Sequence, residues 1–217
     1  MPANETVMQP SNLGPTRNPF NYERIEQIAR DVTTAWLTPE EVQNQLNLFG
    51  DDSQSAYLGP LELAVRMAIE DYLGVSLTSV SYRCYYSANS LYGIPVALDL
   101  PSPLIVSPTI DRLAYYSGQT PPVENTVDPS SYFFDPSGNR VVINTLPTEM
   151  NMYVTNPIWV DYSLGADPIA LYPVVRQAGL LLLTHLYNNR DETTTKQLVN
   201  IPWGIDVLLR PYKKLVM

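Results

Sequence analysis

The side chains that could do chemistry are few. His185 is the only histidine and Cys84 the only cysteine in 217 residues. A histidine can act as a general base, but no Gly-x-Ser-x-Gly elbow or other nucleophile signature accompanies this one, so it reads as a structural residue near a helix end. A lone cysteine builds no intrachain disulfide framework and no cysteine metal cluster, and it fits a reducing compartment. The acidic pairs Glu40/Glu41 and Asp51/Asp52 sit in settings that suit helix capping and solvation better than metal binding. His-Glu-x-x-His, P-loop and Gly-x-Gly-x-x-Gly patterns are absent. Tyr115, Tyr116, Tyr132, Phe133 and Phe134 could form a platform for stacking sugars or bases; sheet core and interface is the other reading of the same residues. The chemistry on offer is that of surfaces. No enzyme activity, cofactor or metal is expected.

The elements that present those surfaces are clearest in 173–212, PVVRQAGLLLLTHLYNNRDETTTKQLVNIPWGIDVLLRPY. Pro173 suits a first helical position, where its missing N–H is no loss. Val175, Ala178, Leu182 and Leu186 mark one face of a helix, and Val174, Leu181 and His185 a second. A helix apolar on nearly every side is buried in a core or against neighbouring subunits. From 173 to 189 it would be about 25 Å long at roughly 1.5 Å per residue. Its unbroken apolar run, 178–183, is far below the ~20 residues of a membrane span. Asn188, Asn189, Arg190 and Asp191 end it, with Arg190 favourably placed at the negative end of the helix dipole. After a polar stretch, Gly204 gives a turn. Ile205, Leu208 and Leu209 form a short apolar face, Pro211 stops the helix, and Trp203 is the largest apolar anchor.

Upstream, 22–32 carries Tyr22, Ile25, Ile28, Ala29 and Val32 at helical spacing, which predicts a short amphipathic helix. Thr38 as N-cap, Pro39 at the first position and Glu41 closing a capping box predict a strong helix start, with Leu37 and Val42 as a hydrophobic staple. A second helix runs to about Leu73 with Leu61, Ala64, Val65, Ala68, Ile69 and Tyr72 inward. Pro60 starts or kinks it, and Gly74 stops it. From 76 onward helical periodicity disappears. Segments 79–86, 95–98, 110–116, 132–134, 140–144 and 158–163 read as strands, with a hairpin turn at 135–139, DPSGN. In the last strand Ile158, Val160 and Tyr162 alternate with Trp159, Asp161 and Ser163, as in a half-buried strand.

The fold class is therefore α+β: a helical bundle of three to four helices with an inserted small antiparallel β-domain, an extended N-terminal arm and a C-terminal tail. The expected parts are 1–36, an arm with a short helix; 37–75, the first helical half; 76–167, the β-domain; and 168–217, the second helical half with the C-terminal segment. The polar, proline-punctuated segment 1–20 has neither the basic start nor the apolar core of a signal peptide.

Net charge is −9, made up of −7 in residues 1–74, −5 in 75–168 and +3 in 169–217. Duplex binding needs clustered Lys and Arg, so this balance argues against it. Opposite signs at the two ends could draw copies together head to tail, or dock the basic end on an acidic partner; a merely solvated, unevenly charged surface is the other reading.

The run LLLLTHLYNNRDE, followed by PWGIDVLLRPYKK, resembles the C-terminus of the tailed-phage head–tail connector family, also called adaptor or head-completion proteins. His185, Tyr187, Asn189, Arg190, Pro202, Gly204, Leu208, Leu209, Pro211 and Tyr212 carry the resemblance. Leu186 stands where an aromatic is usual, Asp191 where Glu is, and Lys213 where Arg is. The capped LTPEEV helix, the lead-in LDLPSPLIV and the hairpin YFFDPSGNRVVI resemble other parts of longer members. The resemblance implies a structural virion protein of the neck, assembled in the host cytoplasm. It would form a ring, twelvefold in that family, that joins the portal protein to the next neck or tail protein. DNA would pass through without specific binding, and no membrane is involved. Portal contact would fall to Trp203, Leu208, Leu209, Arg210, Pro211, Tyr212, Lys213 and Lys214, and subunit packing to Val175, Ala178, Leu182, Leu186, Tyr187 and Arg190. A stopper or tail-completion protein, and a carbohydrate-binding β-module, are the alternatives.

Overall fold

The computed structural model describes residues 21–91, 95–101, 106–189 and 203–213. Four helices, α1 (Pro39–Leu46), α2 (Ser55–Leu73), α3 (Pro173–Asn188) and α4 (Trp203–Leu209), accompany eight strands. The strands are β1 (Arg24–Arg30), β2 (Val80–Tyr86), β3 (Val96–Asp99), β4 (Thr109–Tyr116), β5 (Glu124–Thr126), β6 (Tyr132–Asp135), β7 (Arg140–Ile143) and β8 (Ile158–Leu164). The class is α+β, with two antiparallel sheets.

Local chemistry places the helix ends. The Thr38 hydroxyl accepts from the Glu41 N–H, and the Glu41 carboxylate accepts from the Thr38 N–H. Leu37 and Val42, the two staple positions, are both buried in the helical core. α2 ends at Gly74, whose φ of 69° is the left-handed conformation that glycine adopts without strain. Pro60 lies inside α2 rather than at its start. The helical core joins Trp36, Val42, Val65, Ile69, Val175 and Leu183 with Ile205 and Leu209 of α4, so all four helices share one apolar cluster.

The larger sheet has the order β1-β2-β8-β4-β5 and the smaller one β3-β7-β6. A second core takes Cys84, Tyr86, Leu113, Val160 and Tyr162 from the first and Val96, Leu98, Val141 and Ile143 from the second, so the sheets face each other across it. Asn21 closes one side of this sandwich. Its side chain donates to the Ala97 carbonyl at 2.6 Å and accepts from the Asp99 N–H at 2.8 Å, occupying the edge of β3.

Three expectations are corrected. Residues 24–30 form strand β1, not a helix, and pair antiparallel with β2 along its outer edge. A bulge between Gln27 and Ala29 breaks the two-residue alternation, and the shifted residues mimic a helical spacing. The pairing demand of β2 overrides the local pattern. In α2, Ala64 and Ala68 are exposed, and the inward row holds Leu58, Glu62, Val65, Arg66, Ile69, Glu70 and Leu73. Strand β8 is buried on both faces through Asp161, because it lies mid-sheet and Trp159 and Asp161 are covered by side chains of β2 and β4.

Candidate docking interface

The seat of α3 is built around Trp36. Its indole Nε1 donates to the Ala170 carbonyl at 2.9 Å, and its own carbonyl accepts from Arg176 at 2.9 Å. Arg176 also pairs with Glu41, which ties the start of α1 to α3. Hydrogen bonds from Arg176 hold the Glu41 carboxyl down at about 2. Gly179 lies against the indole itself, where no larger residue has room.

This seat decides which face of α3 is available. Val175, Ala178 and Leu182, expected to pack against other subunits, are buried in the chain's own core. Leu186 and Tyr187 pack partly against that core too, and the Tyr187 hydroxyl donates to Gln54 at 2.7 Å. Arg190 lies outside the described residues. A helix apolar all round must turn some apolar residues outward, and here Val174 and Leu181 are exposed, beside Leu171 and Tyr172 at its start.

The C-terminal segment is held against α2 and α3. Leu209 is 0% exposed, and Ile205 and Leu208 join the same core. So Leu209, one of the expected portal contacts, is enclosed within its own chain. The Tyr72 hydroxyl donates to Asp206, which also pairs with Arg210. Those two hydrogen bonds hold the Asp206 carboxyl below its ordinary range, and the Asp206 bond raises Tyr72. Lys213 sits with its ammonium 4.8 Å from the centre of the Tyr72 ring, and Tyr212 meets Tyr172 edge-on at 5.7 Å. Arg210, Pro211 and Lys213 are exposed. The Trp203 side chain and Lys214 lie outside the described residues.

Two polar groups escaped the sequence reading. On α2, Glu62, Arg66 and Glu70 point inward. Glu62 accepts from the N–H groups of Trp36 and Leu37 at 3.0 and 3.1 Å. Arg66 donates to the carbonyls of Thr34 and Asp31 at 2.6 and 2.8 Å. Glu70 accepts from Leu77 N–H at 2.7 Å. This row satisfies the backbone of the connection between β1 and α1, and of the turn into β2. Its signal was there, three charged residues at four-residue steps beside Val65 and Ile69, but charges are usually placed on the wet side. The second group is Asp161, which accepts from Arg83 at 2.6 and 2.9 Å and from Arg112 at 2.7 Å. Burial alone would raise its carboxyl, but the two guanidinium groups outweigh that and hold it below the usual range.

The remaining candidates are dispersed. His185 is half-buried near the end of α3, where its carbonyl accepts from both N–H groups of Asn189. Asp51 accepts from Ser53 N–H in a local turn. Tyr115, Tyr132 and Phe134 pack on the sandwich core, while Tyr116 lies on the other face of its sheet against Trp159 and Phe133 is exposed. They form no common stacking platform, because neighbours along a strand point to opposite faces. Among the described residues, no three His, Cys, Asp or Glu side chains converge as a metal ion requires, and no helix is long and apolar enough to cross a membrane.

No protein-family model matches the sequence, and no curated protein does so significantly. The fold, however, is shared with chains of solved phage-like particles. A chain in the neck of an empty gene transfer agent (GTA) particle, computed with C6 symmetry, aligns with TM-score 0.55 and 21% identity over 90% of this chain and 97% of that one. One in the neck of the native GTA particle, computed with C12 symmetry, aligns with TM-score 0.55 and 20% identity over the same shares. One in the virion of the native particle gives TM-score 0.53 and 22% identity, again over 90% and 97%. The chain thus has, nearly end to end, the fold of a GTA neck chain, which accords with the head–tail connector resemblance of its C-terminal blocks.

Proposed function

We propose that this chain is a non-enzymatic structural protein of a virion neck, a head–tail adaptor that forms a ring, twelvefold as in the connector family, between the portal and the tail side. The observation that carries the reading is the near-complete overlap in fold with chains of a particle neck, together with the C-terminal blocks ending in Leu208, Leu209, Pro211 and Tyr212. In this reading the β-unit, made of the strands in 76–167 completed by β1 from upstream of α1, is carried on a helical frame. The C-terminal segment docks on the portal through Trp203, Leu208, Pro211, Tyr212, Lys213 and Lys214, with Leu209 anchoring the segment from within. The loops of the β-unit, where Val123, Met152 and Tyr153 are exposed, receive the next neck or tail protein. The net charge of −9 repels the phosphates of DNA passing through the ring, so the genome slides without sticking.

The test is an electron-microscopy reconstruction of the neck of the particle that carries this chain. The expected result is a symmetric ring against the portal with residues 203–217 at the contact and an acidic lumen. A position away from the portal but still in the neck replaces the adaptor with a stopper or tail-completion protein. A position on the tail tip or capsid surface overturns the reading.

A further inference from the structure

α2 is built the wrong way round for a surface helix. Three of its four charged side chains, Glu62, Arg66 and Glu70, are buried, and only Asp71 in the last turn is exposed. Its outer face, with Tyr57, Pro60, Ala64, Met67 and Ala68, carries no charge over roughly three turns and is open to solvent in the single chain. The connection between β1 and α1 accounts for the charges inside. It makes no demand on the outside, where a solvated helix places its charged and polar residues.

α3 carries a second face of this kind. Leu171, at its approach, and Val174, Gln177 and Leu181 are exposed. Over 171–189 the one Lys, Arg, Asp or Glu is Arg176, which is paired with Glu41. α2 and α3 pack on each other, and their inner rows share one apolar cluster. The two open faces therefore point away from each other, on opposite sides of the helical unit. They also differ in relief. The α3 face projects branched side chains, while Ala64 and Ala68, one turn apart, leave the α2 face shallow, so that ridge can meet groove.

The charge of the chain says which partner fits. At a net −9, copies repel one another, and a second copy meets least resistance where neither side carries charge. A basic partner would be drawn to charged faces instead. Because the two faces look in opposite directions, a copy turns one toward each neighbour. Such a contact is head to tail, the type that forms rings when its rotation closes.

We infer that copies of this chain join by the outer face of α2 in one copy packing on the α3 face, Leu171 to Leu181, of the next. The inference rests on the ring reading and names its contact.

The test uses the full chain. Ala64→Glu and Val174→Glu each put a charge into one of the two faces. Glutamate suits the middle of a free helix and its first turn, so the far-UV spectrum and melting point of the dilute chain should stay as in the wild type. Each variant should lower self-association roughly ten- to a hundredfold in sedimentation velocity, because the buried charge has no partner. Raising salt from about 0.05 to about 0.5 M should not weaken wild-type self-association, since no ion pair is there to be screened. An Ala64→Cys chain mixed with a Gln177→Cys chain should give a bismaleimide-linked heterodimer, while neither links to itself; Cys84 is buried and stays silent. The inference is overturned if the wild type stays monomeric at roughly millimolar concentration, if either Glu variant assembles like the wild type, if salt dissolves the contact, or if the mixed cysteines fail to link; the two faces then fall to the portal or the next neck protein. A neck ring seen in the particle together with any of these failures sinks the contact alone and leaves the ring standing. A linked heterodimer from a chain found outside the neck sinks the adaptor reading and leaves the contact standing.

Discussion

Gly179 of α3 lies directly against the indole of Trp36: a Cβ built on the glycine would come within 2.6 Å of Cζ3 and 2.7 Å of Cη2. Cβ atoms do not approach an aromatic carbon so closely, and this indole cannot swing away while Nε1 is bonded to Ala170. Gly179→Ala should therefore destabilise the chain by about 1–3 kcal/mol, the usual cost of overpacking. Denaturant midpoints measure it. In a double-mutant cycle, Trp36→Phe should absorb much of the glycine effect; strict additivity would show that the two residues do not meet.

Arg66→Met keeps most of the apolar stem of a fully buried side chain but strands the carbonyls of Thr34 and Asp31. A loss of about 3 kcal/mol is expected from the unpaired groups. Hydrogen exchange should rise first in residues 31–37, ahead of the sheet. Uniform exchange throughout the chain would contradict the local role.

Asp161 stands directly opposite Arg83 on one neighbouring strand and Arg112 on the other. Asp161→Asn leaves two guanidinium groups facing a neutral amide and should cost about 3 kcal/mol, as breaking a buried pair does. The far-UV spectrum would be retained at low temperature, with a lower melting point. A melting point equal to that of the wild type would refute it.

Glu41 sets a pH dependence. Its carboxyl lies lower in the folded chain, about 2, than its ordinary 4.5, so it contributes stability above the higher value. That contribution is lost as pH falls from about 4.5 toward 2. Glu41→Gln should flatten this part of the stability profile, and leave the profile above pH 6 parallel to the wild type. An unchanged acid limb would mean that Arg176 does not hold the carboxylate in solution.

Replacing Lys213 and Lys214 with Glu should weaken co-sedimentation with the portal protein while changing folding stability by less than about 1 kcal/mol, since Lys213 is exposed where it meets the Tyr72 ring and the charge of Asp206. Unchanged co-sedimentation would count against the docking role.

Much of the fold was legible because its signals are local. The Thr38–Glu41 box, the Gly74 stop, the Pro173 start, the hairpin at 135–139 and the strand-forming runs of β2, β3, β4, β6, β7 and β8 each depend on residues a few positions apart. The C-terminal blocks were legible as a pattern for the same reason. Other features were decided only by partners distant in the chain. β1 is a strand because the free edge of β2 needed pairing. Glu62 and Arg66 turned inward because a backbone connection some 25 to 35 positions away needed an acceptor and donors, and Glu70 because the turn into β2 left the Leu77 N–H to be satisfied. In α3 two apolar faces competed on equal terms, and sequence alone ranks them alike. Trp36, 140 positions from Arg176, broke the tie. Its indole accepts only the face that carries Gly179, so Val175, Ala178 and Leu182 go into the core and Val174 and Leu181 are left on the surface.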